Sequence, residues 1–348
     1  MKRLDYQPSD SNMVYIWALI LPMITSLIIS VCAYGSPTDT DGAYLIYKET
    51  WFLCFLRVLS AGLLIGLFFI YNKSKKISGF KASGLTTKTN YLNIAFCIIL
   101  GIGIVYFTSP IITIISYLLS LTGLDIQTGI DLPLNTVWDY LLTLLLIGIL
   151  PAVTEELIYR GVIFKGMKKW GKWPAILLSA LAFCLMHGSI EQFAYTFLLG
   201  VVLGYIMWET GALWLCMIIH FCNNATVLTS MFIATQTGES SALPTTVGIW
   251  DILYAVGMLA IAVGLVILIF YLMKKVKKRS ATLSASPLIN STTKQTATIT
   301  PTAEVSANKS VAEVSVNKNL LAKENRSDLF FLLIGFGLAI ILTIIQTI

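Results

Sequence analysis

Charged side chains are scarce in this 348-residue sequence. Only 12% of the residues are Asp, Glu, Lys or Arg, against roughly 25% in soluble domains, while 56% are hydrophobic. Because this shortage extends along most of the chain, a soluble domain with one anchor is excluded, and we expect an all-α, polytopic bundle of transmembrane helices. The formal net charge of +6 lies mainly in loops between apolar runs, which is typical of membrane topology and not of nucleic-acid binding.

Cysteine motifs that would indicate a disulfide, a thiolate–metal site or thiol chemistry are also missing. None of the six cysteines belongs to a CxxC pair, so neither a disulfide framework nor a thiolate–metal site is indicated. All six lie in or beside apolar runs and are interpreted as small buried hydrophobic residues: Cys32, Cys54, Cys97, Cys184, Cys216 and Cys222. The HExxH motif of many zinc peptidases is absent as well.

Apolar runs that can cross a bilayer recur along the first 279 residues. Eight spans are predicted, at residues 13–34, 51–71, 91–121, 136–164, 173–187, 192–208, 212–234 and 247–273. With the N-terminus inside, the basic loops 73–88, 165–172 and 274–279 all fall on the cytoplasmic side, where lysine-rich loops concentrate. The acidic loops that contain Asp39 and Asp125 then lie outside.

The composition changes after the eighth span. Residues 280–327 are rich in Ser, Thr, Ala, Asn and Lys, and they contain the near-repeats AEVSANK (303–309) and AEVSVNK (312–318). Such a segment cannot bury enough apolar surface to fold, so we predict a disordered cytoplasmic linker between the bundle at 1–279 and the C-terminus. Residues 328–348 are apolar again and are predicted to form one extra transmembrane helix.

Three ionisable residues stand out near the end of the fourth span. Glu156 and Arg160 are four residues apart, so their side chains meet on one face of a helix and can pair. Glu155 points about 100° away from Glu156 and is left as the unpaired carboxylate that a general base requires. Because ionisable groups are costly at membrane depth, the three are candidates for a functional site. A purely structural ion cluster at the end of the helix is the alternative.

The only two histidines also lie in apolar runs. His187 ends the fifth span, and His220 shares a helix face with Asn224, whereas Asn223 is expected to turn away. At 1.5 Å per residue, Glu155, both histidines and Asn224 lie roughly 12 to 21 Å from the inner boundary. This common depth favours one site over separate structural roles. A histidine and an asparagine on one face can bind a metal, stabilise an oxyanion or join two helices.

Three short motifs resemble those of a known family. EELIYR (155–160), FCLMH (183–187) and HFCNN (220–224) look like the EExxxR, FxxxH and HxxxN motifs of the CPBP intramembrane proteases. That family includes type II CAAX prenyl endopeptidases and bacterial proteins named for bacteriocin processing and self-immunity. The resemblance covers roughly residues 91–235. It implies that Glu155 and His187 activate water, while His220 and Asn224 stabilise the oxyanion or hold a metal.

These observations predict an intramembrane endopeptidase of a bacterial cell membrane, which acts near the cytoplasmic side on a peptide or membrane-protein substrate. A route without a cofactor is favoured, because HExxH is absent and asparagine is an unusual zinc ligand. The alternative mechanism uses zinc held by Glu155, His187, His220 and Asn224. The alternative functions are a catalytically silent immunity or regulatory scaffold and a transporter, but a transporter predicts inverted repeats and none is visible.

Overall fold

A computed structural model describes residues 2–34, 50–122, 134–238, 246–285, 328 and 332–340. Regular structure within these ranges is helical, apart from one isolated β-bridge between Arg3 and Ile77. The predicted class, an all-α bundle of a polytopic membrane protein, is confirmed.

In the described part of the chain, eight helices correspond in position to the eight predicted spans. Their bounds are α1 Pro8–Ala33, α2 Thr50–Ser74, α3 Tyr91–Ser120, α4 Val137–Trp170, α5 Lys172–Met186, α6 Ile190–Thr210, α7 Leu213–Thr237 and α8 Ile249–Ala285. Six helices in the described part of the chain are long and apolar enough to cross a membrane. The helix α5 has only 15 residues, a rise of about 22 Å, so it is too short to cross a hydrocarbon core of roughly 30 Å alone.

The C-terminal part of the chain differs from the prediction at one boundary. The helix α8 continues to Ala285, so the first residues that were assigned to the linker extend a helix instead. Residues 332–340 are helical and pack on α1, where the rings of Tyr15 and Phe336 lie 5.6 Å apart. Gly335 permits this approach, because a Cβ there would come within 2.9 Å of the Tyr15 ring. The rest of the predicted linker, 286–327, and both acidic loops lie outside the described residues.

The central helix α4 is interrupted twice. A capping box between Thr136 and Asp139 starts it. Two π-helical segments, Leu144–Ile149 and Tyr159–Ile163, then flank the α-helical segment Leu150–Ile158. Such π segments are rare and frequently occur at functional sites. The segment between them carries both adjacent glutamates.

Pro151 has a direct consequence for the neighbouring helix. Proline has no N–H, so Pro151 cannot bond to the carbonyl of Ile147 in the α-helical pattern. That carbonyl instead accepts a hydrogen bond of 3.1 Å from Nδ2 of Asn224 on α7. The proline in α4 thus leaves a backbone acceptor that anchors Asn224, the last residue of the third motif.

The N-terminal tail joins the basic loops at one end of the bundle. The backbone of Arg3 exchanges hydrogen bonds with Lys76 and Ser78, at 2.9 and 2.8 Å. Lys169 Nζ lies 3.4 Å from the carboxylate of Asp5. Ser11 Oγ donates to the carbonyl of Ile163 at 2.8 Å, which fixes the tail to α4. These contacts bring two of the three basic loops to the end where the N-terminus lies, as the distribution of lysines predicts.

This arrangement predicts which residues are accessible from one side of the membrane. The variants Lys75→Cys, Lys168→Cys and Lys275→Cys are each made in a protein without other cysteines. All three should react with a membrane-impermeant thiol reagent from the cytoplasmic face. A cysteine at Asp41 is the control and should react from the opposite face only. Labelling of any of the first three from the outer face would contradict the topology.

Candidate active site

One buried carboxylate oxygen joins the first and third motifs. Arg160 Nη1 donates to Glu156 Oε1 at 2.9 Å, and His220 Nδ1 lies 3.0 Å from the same oxygen. Glu156 and Arg160 are fully buried, and His220 is only 4% exposed. An ionised carboxylate can only accept, so His220 carries a proton on Nδ1. The Glu156–Arg160 pair was predicted from spacing, but the contact to His220 was missed.

Arg160 extends this interaction to two further helices. Its Nη2 lies 3.4 Å from the carbonyl of Gly200 on α6, and its Cζ lies 4.2 Å from the centre of the Phe183 ring on α5. Gly200 permits close packing of α6 on α5, since a Cβ there would come within 2.9 Å of Ala180. A buried cation is costly unless it is paired and hydrogen-bonded. These contacts bond both Nη atoms of Arg160, while its Nε is buried without a partner among the described residues.

The first residue of the second motif, Phe183, is a shared packing surface for the site. Its ring lies edge-on to the rings of His187 and His220, with centroids 4.9 and 5.7 Å away. Together with the guanidinium of Arg160, these contacts bury Phe183 almost completely. The phenylalanine therefore fixes the positions of both imidazoles and does not itself react.

His187 is held by the end of its helix. It is the C-cap of α5, where Gly188 then adopts a positive φ of 62° and Ser189 begins α6. Its Nδ1 lies 2.9 Å from the carbonyl of Phe183. A carbonyl only accepts, so this contact places the proton on Nδ1 and leaves Nε2 as the basic nitrogen of the neutral ring.

Glu155 lies on the opposite side of His220 from Glu156. Its Oε2 is 4.0 Å from His220 Nε2, and the carboxylate also interacts electrostatically with His187. This oxygen is buried and makes no hydrogen bond to any described residue. A single water molecule can contact both the carboxylate and an imidazole at this separation. The structure thus places Glu155 beside His220, and the Phe183 ring contacts both imidazoles.

Asn224 is held at both ends of its amide. While Nδ2 donates to Ile147, Oδ1 accepts from Asn223 Nδ2 at 3.3 Å, and Tyr195 on α6 donates to Asn223 Oδ1. The expectation that Asn223 turns away was wrong, because it is buried and orients its neighbour. Helical spacing did not reveal this, since α7 is enclosed on more than one face. Tyr195 belongs to none of the three motifs, and no sequence signal indicated it.

The donor types at the site suit zinc, which binds imidazole nitrogen and carboxylate oxygen. Within the described parts of the chain, however, no three His, Cys, Asp or Glu side chains are gathered so that they could hold a metal ion. Glu155, His187 and His220 are therefore not gathered as a set of three metal ligands in this part of the chain.

Comparison with known proteins identifies a family that the segment with these three motifs resembles. Residues 137–226, about a quarter of the chain, match the family model described as type II CAAX prenyl endopeptidase Rce1-like. The matched segment runs from α4 into α7 and contains all three motifs, so the resemblance predicted from them is confirmed. An Escherichia coli protein described as an uncharacterized 24.3 kDa protein is 31% identical over 100 residues, which are 27% of this chain and 45% of that protein's length. No solved structure matches.

The two adjacent glutamates should respond differently to the same substitution. Glu156→Gln leaves Arg160 charged and unpaired in the core and removes an acceptor from His220, so we expect a loss of roughly 3–5 kcal/mol in stability. Glu155→Gln is the matched control. It breaks no hydrogen bond among the described residues, and a neutral amide is easier to bury than a carboxylate.

Thermal unfolding of the purified variants in one detergent measures this difference. Glu155→Gln should unfold near the wild-type temperature, and Glu156→Gln well below it. Equal unfolding temperatures for the two variants would contradict the assigned role of Glu156.

Proposed function

We propose that this protein is an intramembrane endopeptidase in which Glu155 and His187 activate water. The observation that carries the proposal is the asymmetry of the two glutamates around His220. Oε1 of Glu156 is bonded to Arg160 and His220, whereas the Glu155 side chain makes no hydrogen bond to the described protein and its buried Oε2 lies 4.0 Å from His220 Nε2. A scaffold has no need for a buried carboxylate in this state.

The first step is the activation of water. A water molecule beside Glu155 gives a proton to the carboxylate while its oxygen attacks the carbonyl carbon of the scissile peptide bond. His187 presents Nε2 to the same region because Nδ1 is occupied by the Phe183 carbonyl. It therefore accepts a hydrogen bond from the water and orients it. The proton held by Glu155 is later transferred to the leaving amine, which completes the hydrolysis.

The second requirement is stabilisation of the oxyanion in the tetrahedral intermediate. His220 is assigned to this step in its doubly protonated form, in which Nε2 donates while Nδ1 stays bonded to Glu156 Oε1. Asn224 is anchored through Ile147 and Asn223, and it has a second Nδ2 hydrogen available. Preorganised donors of this kind contribute most when they need not reorient during the reaction.

The substrate follows from the family and the surroundings of the site. The matched family is described as a CAAX prenyl endopeptidase, so we propose a peptide or a membrane protein as the substrate. The positive loops support a cytoplasmic N-terminus and cleavage near the inner face of a bacterial cell membrane. A catalytically silent scaffold is the alternative that the next experiment decides.

Substitution of Glu155 tests catalysis directly. Glu155→Gln keeps the size of the side chain but cannot accept a proton, so peptide hydrolysis should fall by about 10²–10⁴-fold. Cleavage of internally quenched peptides by purified protein measures this loss. Asp251→Asn, which neutralises an exposed carboxylate on α8, is the control and should retain activity. Full activity of Glu155→Gln, in vitro or in cells, would favour the scaffold.

Removal of metal ions separates the two mechanisms. If water is activated by Glu155 and His187 alone, incubation with a zinc chelator followed by desalting should leave the rate of peptide cleavage unchanged. Loss of activity that is restored by added zinc, and not by magnesium, would show instead that the site uses zinc.

A further inference from the structure

A second concave site lies at the end of the bundle where the basic loops gather. It is a cavity of about 270 Å³ between the beginning of α3, the end of α6 and residues 270–276 of α8. It is separate from the candidate active site. Tyr195, which contacts that site through Asn223, and Tyr205, which lines the cavity, are ten positions apart on α6, or about 15 Å.

Positive charge dominates this cavity. Lys88 and Lys274 line it together with Glu209, and Lys172 reaches the same carboxylate at 2.7 Å. Both Lys172 and Lys274 lie against the ring of Tyr205, with Nζ at 4.2 and 5.8 Å from its centre. The two lysines and one glutamate of the lining give a local charge of +1, and Lys172 is paired with that glutamate.

A largely buried amide is also part of the wall. Asn93 lines the cavity and is only 9% exposed. Its Nδ2 donates to Thr89 Oγ1 at 2.8 Å, but its Oδ1 is buried without a hydrogen bond to any described residue. This oxygen does not face the open cavity, so the amide adds a polar section to the wall without itself selecting the ligand.

The remaining wall is apolar and aromatic. Phe270 stacks on Tyr205, with ring centroids 3.9 Å apart, and Ile206 and Met273 complete this side. The cavity therefore offers cations, an amide and an apolar surface together. This combination suits an amphiphile with an anionic head group better than a simple inorganic ion.

We propose that this cavity binds the phosphoryl head group of an anionic phospholipid from the cytoplasmic leaflet. Basic pockets between transmembrane helices on the cytoplasmic side are typical sites for such head groups. In this arrangement Lys88 and Lys274 contact the phosphate, and the acyl chains leave along Phe270 and Met273. Free phosphate has the same charge chemistry but lacks the acyl chains.

The test uses a charge-matched pair of double variants. Lys88→Gln with Lys274→Gln removes both cations that line the cavity. Lys81→Gln with Lys275→Gln removes two exposed cations, one from the same interhelical region and one from the same helix, that do not line it. The thermal midpoint of the full-length protein is measured in detergent during titration with phosphatidylglycerol, phosphatidylcholine or inorganic phosphate.

Phosphatidylglycerol should raise the midpoint of the wild type and of the Lys81/Lys275 variant in a saturable way. The Lys88/Lys274 variant should need at least about tenfold more lipid for the same shift, as expected when charged contacts of about 1.4 kcal/mol are lost. Phosphatidylcholine and inorganic phosphate should give much smaller shifts.

The proposal is overturned if both double variants respond equally, if phosphatidylcholine matches phosphatidylglycerol, or if inorganic phosphate alone gives the full shift. Glu155→Gln should keep the lipid response, so this result is independent of catalysis.

Discussion

The structure depends on the double hydrogen bond to Glu156 Oε1. Arg160 and His220 donate to this single buried oxygen, at 2.9 and 3.0 Å. Removing a carboxylate and a guanidinium from water is costly unless each finds partners inside the protein. Arg160 therefore also contacts the Gly200 carbonyl and the face of Phe183. The need to satisfy one ion pair thus fixes the relative positions of α4, α5, α6 and α7.

The same constraint produces the asymmetry on which the proposed chemistry rests. Because Glu156 holds His220 through Nδ1, the other ring nitrogen of His220 faces Glu155. The Phe183 ring packs against the imidazoles of both His187 and His220. Pro151 leads to a second anchor for the site. It has no N–H to bond to the Ile147 carbonyl, and that carbonyl accepts a hydrogen bond from Asn224 instead. Each candidate catalytic side chain except Glu155 is therefore oriented by a hydrogen bond to the protein.

Local features were predictable from the sequence, and long-range ones were not. The starts of α3 and α4 agree with the prediction because Asn90 and Thr136 cap them with their own side chains. The Glu156–Arg160 pair needed only helical spacing. The contact between Glu156 and His220 joins residues 64 positions apart, and Tyr195 reaches Asn223 from another helix, so neither follows from periodicity. The π segments of α4 were also missed, because they depend on how the helix packs.

Nitrogen-15 NMR of the two histidines tests the central contact most directly. The chain has only two imidazoles, so a single His187→Gln variant assigns both sets of ring resonances. We predict that Nδ1 of His220 is protonated, and that Glu156→Gln shifts its resonance, in protein that remains folded, while that of His187 changes little. An unprotonated Nδ1 on His220, or a resonance that does not respond to the loss of the Glu156 carboxylate, would contradict the account.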